Sequence, residues 1–510
     1  MVSAVASFLS KSNNGITRLM TYDEWFQQQL ELVDEAWTTW PEDRSYDWKG
    51  LHIHKTELQE LRRRGDSRGL ASQLRAQSYR NVYRILSPAL YRKSPIHTKQ
   101  LIHDYVWEVR RSIEHVTQKN NPSNALSILS SQDKRQLLFA MRKSLGRTTL
   151  VLQGGAMVTM AHLGVVKALF EQDLLPKIIT GTSTGALVAG IVGTSTDEML
   201  LSNLQNVRLD AFERARKRHG GTGMLANSPW VDNFVRRVCR WRQTGHLFDI
   251  DVLEECVQDN LGDITFEEAY AQTGRILNIT IALPEIAGTP QLLNYITAPH
   301  VLIRSAIVAS IATSKQMYAP VHLFCKDDIG LVDRYFSVES LQCSRQKSSM
   351  HYEAPLSRIG ELFNVNHFIV SQTRPYIIPF ILIQRLADHY ALLGTVVRLL
   401  FSESLYWLQW LASLELLGMF FRRILVDEEV PSVDAWSKVV LTPSLYFSDL
   451  FAIFDTPTET TLDEWRQRGE HSVWPAVCEL QMRCDIEYDL DAAYDNLSRT
   501  SGLGFVSGVP

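Results

Sequence analysis

The spacing of apolar residues changes along the chain and divides it into regions. Over 21–145, Leu, Ile, Tyr and Trp recur at helical spacing among many charged residues, which predicts a helical N-terminal domain. From residue 149 onward, short apolar runs alternate with segments of helix length, which predicts an α/β domain over 149–360. Residues 361–510 are expected to complete the sheet and then return to helix and loop, whereas residues 1–20 are expected to be disordered.

Three β-rich runs carry the strand prediction: TLVLQ (149–153), KIITG (177–181) and ILNITIAL (276–283). Because a helix-length segment separates each run from the next, we expect parallel strands joined by crossover helices. The predicted fold class is therefore α/β, a parallel-rich sheet flanked by helices. The helical N-terminal region should begin at Thr21, since Glu24 stands three residues later in the spacing of a capping box.

Two long uncharged runs, Thr148–Val166 and Ile178–Thr196, raise the question of membrane spans. Both contain several glycines, and the second also contains a cluster of hydroxyl residues. A buried unit of strand, turn and helix explains this composition better than a span does.

The segment 376–426 is very hydrophobic, but charged residues interrupt it at short intervals. Its longest uncharged stretch is too short to cross a bilayer. Amphipathic helices fit the spacing. They would form a helical hairpin in the core or lie on a lipid surface, and insertion into the membrane stays open as a third alternative.

Composition narrows the function classes. The chain has 510 residues, of which 45% are hydrophobic, with 52 basic and 56 acidic side chains and a net charge of −4. This balance excludes a disordered chain and disfavours a nucleic-acid binder, which needs a basic surface. The 6 cysteines form no C-x-x-C motif, so we expect no zinc site and predict free thiols in a reducing, intracellular compartment.

A motif of the form G-x-S-x-G follows the second predicted strand: Gly181-Thr182-Ser183-Thr184-Gly185. A serine at a sharp turn from strand to helix exposes its hydroxyl, and flanking glycines let the strand and the helix approach closely. The positive end of the following helix also favours developing negative charge. The pattern predicts Ser183 as a nucleophile.

A second glycine turn, Gly154-Gly155-Ala156, follows the first predicted strand. Backbone N–H groups at such a turn can form an oxyanion hole. A phosphate loop would look similar, but the G-K-[ST] sequence of a nucleotide site is absent. Together with the serine turn on the next strand, it predicts an acyl-transfer site.

The segments GGA-x5-H-x-G-VVKAL, from Gly154, and LLPKIITGTSTGAL, ending at Leu187, resemble the patatin-like phospholipases. Further blocks in order are similar to the fungal and plant lipid-droplet triacylglycerol lipases of that family: LLNYITAPHVLIRSAIVAS, ELFNVNHFIVSQTRP and DEWRQRGEHSVWP. The resemblance implies a serine lipid hydrolase with a Ser–Asp dyad and no metal or cofactor. Its substrate would be triacylglycerol, or alternatively phospholipid, at the cytosolic face of a lipid droplet or membrane.

The sequence departs from the family pattern at the expected dyad aspartate. Lys347 and Ser348 stand where Asp and Gly are expected, and a Lys cannot serve as a carboxylate base. Asp333 is the first substitute, and the others are Glu353, Asp327 and Asp328. A weakly active or inactive paralogue that binds lipid, an acyltransferase, or an error in the gene prediction around 335–350 stay open as alternatives.

Two weaker departures concern the loops of the site. Thr159 stands where relatives often carry Gly, which we expect to stiffen or reshape the oxyanion turn. Ile311-Ala312-Thr313-Ser314-Lys315 replaces a Pro-Gly turn of the relatives. His162 follows the oxyanion turn on a helix, where we expect a packed or hydrogen-bonded side chain and not a catalytic one.

Overall fold

The computed structural model describes 20–118 except 92, 129–281 except 209, 212, 213 and 215–238, 292–335 except 313–317, 320 and 328, 355–373, 403, 437–446, 449 and 458–500. The chain forms two compact units: one comprises 1–137 and 474–493, the other 138–473 and 494–510. The predicted disordered segment 1–20, apart from its last residue, and the hydrophobic segment 376–426, apart from Glu403, lie outside the described residues. Among the described helices, none is both long and apolar enough to cross a membrane.

The first unit is helical, as predicted. Its helices are α1 (Tyr22–Leu30), α2 (Glu35–Thr39), α3 (Trp48–Arg64), α4 (Ser67–Ala76), α5 (Gln100–Thr117), the start of α6 (Ser131–Leu145) and most of α15 (Val477–Thr500). The capping box is confirmed, since the Thr21 hydroxyl accepts the Glu24 N–H and the Glu24 carboxylate accepts the Thr21 N–H. The buried ion pair of Arg80 with Glu487, 2.9 Å between Nη2 and Oε2, joins α15 to the loop after α4.

The second unit is built on a sheet of six strands. They are β1 (Arg147–Leu152), β2 (Ile178–Thr182), β3 (Ile276–Thr280), β4 (Leu292–Leu293), β7 (Val365–Ser371) and β8 (Lys438–Leu441), in the spatial order β4-β3-β2-β1-β7-β8. All neighbours are parallel except β3 and β4. The predicted parallel-rich sheet is therefore confirmed, with strands close to the three predicted runs. The strands β5 (Phe324–Lys326) and β6 (Val332–Arg334) form a separate antiparallel two-stranded ribbon.

The helices of this unit connect the strands and flank the sheet. They are the end of α6, α7 (Ala161–Glu171), α8 (Gly185–Thr194), α9 (Asp197–Gln205), α10 (Ile250–Leu261), α11 (Phe266–Thr273), α12 (Ile303–Ile311), α13 (Pro355–Phe363) and α14 (Glu459–Val473). Residues 185–193 of α8 are all buried, as expected for an apolar helix packed on every side. Both uncharged runs thus form units of strand, turn and helix, as predicted.

Helices α7 and α14 cross at two glycines. A Cβ added to Gly164 would lie 1.8 Å from the Arg466 carbonyl oxygen, and one added to Gly469 would lie 1.9 Å from the Ala161 carbonyl oxygen. Only glycine allows backbones to approach this closely. Because α7 follows the oxyanion turn directly, this crossing fixes the helix that supports one side of the site.

Candidate active site

Ser183 lies at the turn between the carboxyl end of β2 and the start of α8. Its φ of +51° is in the left-handed region, which costs energy for a residue with a side chain and persists only where the surroundings hold it. The Ser183 N–H donates to Ser310 Oγ at 2.9 Å, and that hydroxyl donates to the Thr280 carbonyl oxygen at 2.7 Å. Ser183 itself is only half-buried. The strained turn is therefore held by hydrogen bonds and still reachable from solvent.

Two glycines of the motif lie where a side chain cannot fit. A Cβ at Gly181 would lie 2.5 Å from Ala186 Cα, and one at Gly185 would lie 2.2 Å from the Leu152 carbonyl oxygen. The strand and the helix can therefore approach as closely as the sharp turn requires. This is the arrangement in which a nucleophilic serine is presented at the end of a parallel strand.

The oxyanion turn lies against the serine turn because their strands are neighbours. Leu152 of β1 pairs with Gly181 of β2, so both strands end at the same level. A Cβ added to Gly154 would lie 2.6 Å from Ser183 Cβ and 3.0 Å from Ser183 Oγ. Ala156 has a φ of +51° and begins the short helical turn Ala156–Met160. The two predicted motifs are thus brought together.

The three predicted oxyanion donors are not equivalent. The Gly155 N–H donates to Thr159 Oγ1 at 2.9 Å and to Thr184 Oγ1 at 3.0 Å, and the two hydroxyl oxygens are 2.7 Å apart. The N–H groups of Gly154 and Ala156 have no acceptor among the described residues. Of the three, therefore, only the Gly155 N–H is bound to acceptors within the described part of the chain.

His162 is fully buried beneath the oxyanion turn. Its Nε2 lies 2.7 Å from the Gln153 carbonyl oxygen and its Nδ1 lies 2.7 Å from Ser371 Oγ. Burial lowers the pKa of the imidazole to about 4, so the ring is neutral near pH 7. Since a carbonyl oxygen can only accept, Nε2 carries the proton and Nδ1 accepts from Ser371. The expectation of a hydrogen-bonded structural histidine is confirmed.

The carboxylates proposed as bases have different positions. Asp333 lies on β6, all three residues of which are exposed, and its Oδ1 accepts the Arg334 N–H at 2.7 Å. Asp327 begins the turn between β5 and β6. Within the described part of the chain, no carboxylate is hydrogen-bonded to Ser183. Glu353, Asp328, Lys347 and Ser348 lie outside the described residues.

Sequence reasoning missed Ser310, which holds the serine turn from α12. One signal was present, because Ser305 and Ser310 are the polar members of an otherwise apolar run, SAIVASI. Both are buried and hydrogen-bonded to backbone groups. Which of them faces Ser183 depends on how α12 packs, and the local pattern does not contain that information.

Comparisons with known proteins match both the helical and the α/β part of the chain. Residues 150–333 match the patatin-like phospholipase family, and residues 10–143 match a domain of unknown function, DUF3336. Triacylglycerol lipase ptl1 of Schizosaccharomyces pombe is 30% identical over 94% of this chain and 84% of its own length. The chain belongs to the patatin-like phospholipase family. The resemblance found in the sequence is therefore confirmed.

Other relatives extend beyond the region they share with this chain. Triacylglycerol lipase 5 of Saccharomyces cerevisiae is 30% identical over 93% of this chain and 63% of its own length. Triacylglycerol lipase SDP1L of Arabidopsis thaliana is 29% identical over 94% of this chain and 57% of its own length. The shared region thus includes both the helical and the α/β part of the chain.

Proposed function

We propose that this member of the patatin-like family is a serine lipid hydrolase whose main substrate is triacylglycerol. The observation that carries the proposal is Ser183 at φ +51°, directly against Gly154 of the oxyanion turn. A strained serine turn beside free backbone N–H groups is an acyl-transfer site. Triacylglycerol comes from the names of the relatives, which cover nearly the whole chain. Phospholipid is the second substrate to test.

The chain's own residues provide most of the groups that the reaction needs. Ser183 Oγ attacks the ester carbonyl carbon as a carboxylate takes its proton. The N–H groups of Gly154 and Ala156 stabilise the negative oxygen of the tetrahedral intermediate. The alcohol leaves with the proton, and an acyl group remains on Ser183. Water then attacks the acyl-enzyme and gives a proton to the carboxylate. The carboxylate passes this proton to Ser183 Oγ as the bond to the acyl group breaks, so the fatty acid is released and the free serine is restored.

For the general base we propose Asp333 first, because the family match extends to this residue. In the described arrangement β5 pairs with the chain before α12, at the opposite end of that helix from Ser310. Asp333 would therefore act as the base only if the ribbon moved so that Asp333 came within hydrogen-bond distance of Ser183 Oγ. Asp333→Asn should lower turnover at least 100-fold. Glu198→Gln, which changes an exposed carboxylate of α9 that is not a candidate base, is the control. Asp327→Asn and Glu353→Gln test two of the other candidates.

The decisive experiment measures covalent labelling and hydrolysis together. Wild-type protein should react with a fluorophosphonate probe and release fatty acid from emulsified triolein. Ser183→Ala should lose both activities, whereas Ser202→Ala, which removes an exposed serine of α9, should lose neither. The hydrolase proposal fails if the wild-type protein is unlabelled and releases no fatty acid.

One observation favours a second candidate function. Because no described carboxylate is bonded to Ser183, a patatin fold that binds acyl lipid without turnover is the alternative. Such a protein would retain a fluorescent triacylglycerol analogue on flotation and release no acid. Ser183→Ala would leave its lipid retention unchanged. An active hydrolase would instead consume the analogue and form fatty acid.

We further propose that the protein acts inside the cell, at the surface of a lipid droplet or membrane. Triacylglycerol is insoluble, so its hydrolase must work at an interface. The cysteines that the structure describes are free thiols: Cys239, Cys256, Cys325, Cys478 and Cys484, which agrees with a reducing compartment. Fluorescence microscopy of the tagged chain with a droplet stain, with and without 376–426, tests both the site of action and this segment's role.

A further inference from the structure

We propose that Thr159 is a positioning residue that, with Thr184, ties the oxyanion turn to the serine turn through the Gly155 N–H. This inference deepens the proposed function and rests on it. It assigns the oxyanion donors to Gly154 and Ala156, and it gives the Gly155 N–H a structural role.

The contacts form a closed group of three. One amide N–H is shared between two hydroxyl oxygens, at 2.9 Å and 3.0 Å, and those oxygens are themselves 2.7 Å apart. One hydroxyl therefore donates to the other while both accept from Gly155. Thr159 is completely buried and Gly155 is buried, so water is not a ready substitute partner for either group.

The tie connects separate parts of the site. Gly155 belongs to the oxyanion turn, Thr184 directly follows Ser183, and Thr159 belongs to the helical turn that leads into α7. A change in the distance between the oxyanion turn and Ser183 would have to break the hydrogen bonds of this group. Because a buried amide N–H without an acceptor is costly, the group resists that change.

The hydroxyl at position 159 provides one of the two acceptors of the Gly155 N–H. A glycine there has no side chain to accept the Gly155 N–H, so the turn would lose one of its two hydroxyl partners. Ala156, next to Gly155, is held at φ +51°, which is unfavourable for a residue with a Cβ. The tie is therefore expected to keep the Ala156 N–H in the direction that a substrate oxygen needs.

The test compares three variants. Thr159→Val keeps the shape but removes the hydroxyl, and Thr159→Ser restores it. Thr180→Val is the matched control, since Thr180 is also buried and bonds another threonine hydroxyl, Thr149 Oγ1 at 3.3 Å, within the sheet. Thr159→Val should slow both fluorophosphonate labelling and kcat for a soluble ester about 10-fold, with KM nearly unchanged. Thr159→Ser and Thr180→Val should stay within about 2-fold of wild type.

The proposal is overturned if Thr159→Val reacts at the wild-type rate, or if Thr159→Ser is slowed as strongly, which would indicate packing alone. A wild-type protein that neither labels nor hydrolyses would overturn the proposed function instead. In that case the rate of hydrogen–deuterium exchange at the Gly155 amide tests whether the Thr159 hydroxyl holds this N–H. Exchange that is faster in Thr159→Val than in Thr180→Val supports the tie, and equal exchange refutes it.

Discussion

The backbone N–H of Ser183 donates to the side chain of Ser310 at 2.9 Å across 127 positions of sequence. Ser310 is almost fully buried, and its hydroxyl donates a hydrogen bond to the Thr280 carbonyl oxygen. The serine turn is thus fastened both to α12 and to the end of β3. A residue in the left-handed region needs this kind of support from its surroundings.

Removing this support should weaken the site more than the fold. Ser310→Ala leaves the Ser183 N–H without its acceptor, so we expect a loss of about 1–3 kcal/mol in unfolding free energy. Labelling of Ser183 by a fluorophosphonate should slow about 10-fold. The control is Ser305→Ala, on the same helix and equally hydrogen-bonded but facing β5. Equal labelling rates in the two variants would contradict a specific role for Ser310.

Gly154 should tolerate no side chain. In Gly154→Ala the new methyl group would lie 2.6 Å from Ser183 Cβ, so either the oxyanion turn or the serine must shift. We expect hydrolysis to fall at least about 100-fold, the cost of losing an oxyanion donor. Gly360→Ala is the control, because its nearest neighbour, the Val365 carbonyl oxygen, is 3.2 Å away. Normal turnover in Gly154→Ala would show that the turn is not part of the site.

His162 should make stability depend on pH. Its pKa is lowered from 6.5 to about 4 by burial, so between these values the unfolded chain binds more protons than the folded one. The unfolding free energy therefore rises with pH across this window. The contribution of His162, about 3 kcal/mol in total, is complete above pH 6.5 and is lost as the pH falls towards 4.

Urea unfolding at pH 4.5 and pH 7 measures this contribution. His162→Gln has no titrating ring and should show a smaller loss on acidification than wild type. His322→Gln, which replaces an exposed histidine, should lose as much as wild type. A wild-type pH dependence in His162→Gln would assign the effect to other groups.

The crossing of α7 and α14 should be sensitive to volume. Gly469→Val would bring side-chain atoms onto the Ala161 carbonyl oxygen, 1.9 Å from an added Cβ, so the helices must separate. We expect a loss of about 3 kcal/mol in unfolding free energy, measured by thermal or urea unfolding. Gln467→Val, at an exposed position of the same helix, controls for the lower helix propensity of valine. Similar losses in both variants would rule out the close packing as the cause.

Local sequence patterns predicted much of this fold. Parallel strands were predicted at 149–153, 177–181 and 276–283, and the structure has them at 147–152, 178–182 and 276–280. These strands and the capping box at Thr21 follow from periodicity and turn residues, which act over a few neighbouring positions. The serine turn and the oxyanion turn were also visible, because glycines mark sharp turns after strands. Their combination into one acyl-transfer site was predicted because the serine turn follows the next strand along the chain.

The tertiary structure decided what holds these turns and which donors they offer. Ser310 reaches Ser183 only because of how α12 packs. Thr184 reaches Gly155 only because β1 pairs with β2. The sequence by itself thus determined the family, the fold class and the nucleophilic serine as a prediction. Tertiary structure decided that the Gly155 N–H is bound inside the protein. The physical reason is that hydrogen bonds between distant residues depend on how whole elements pack, which no local pattern encodes.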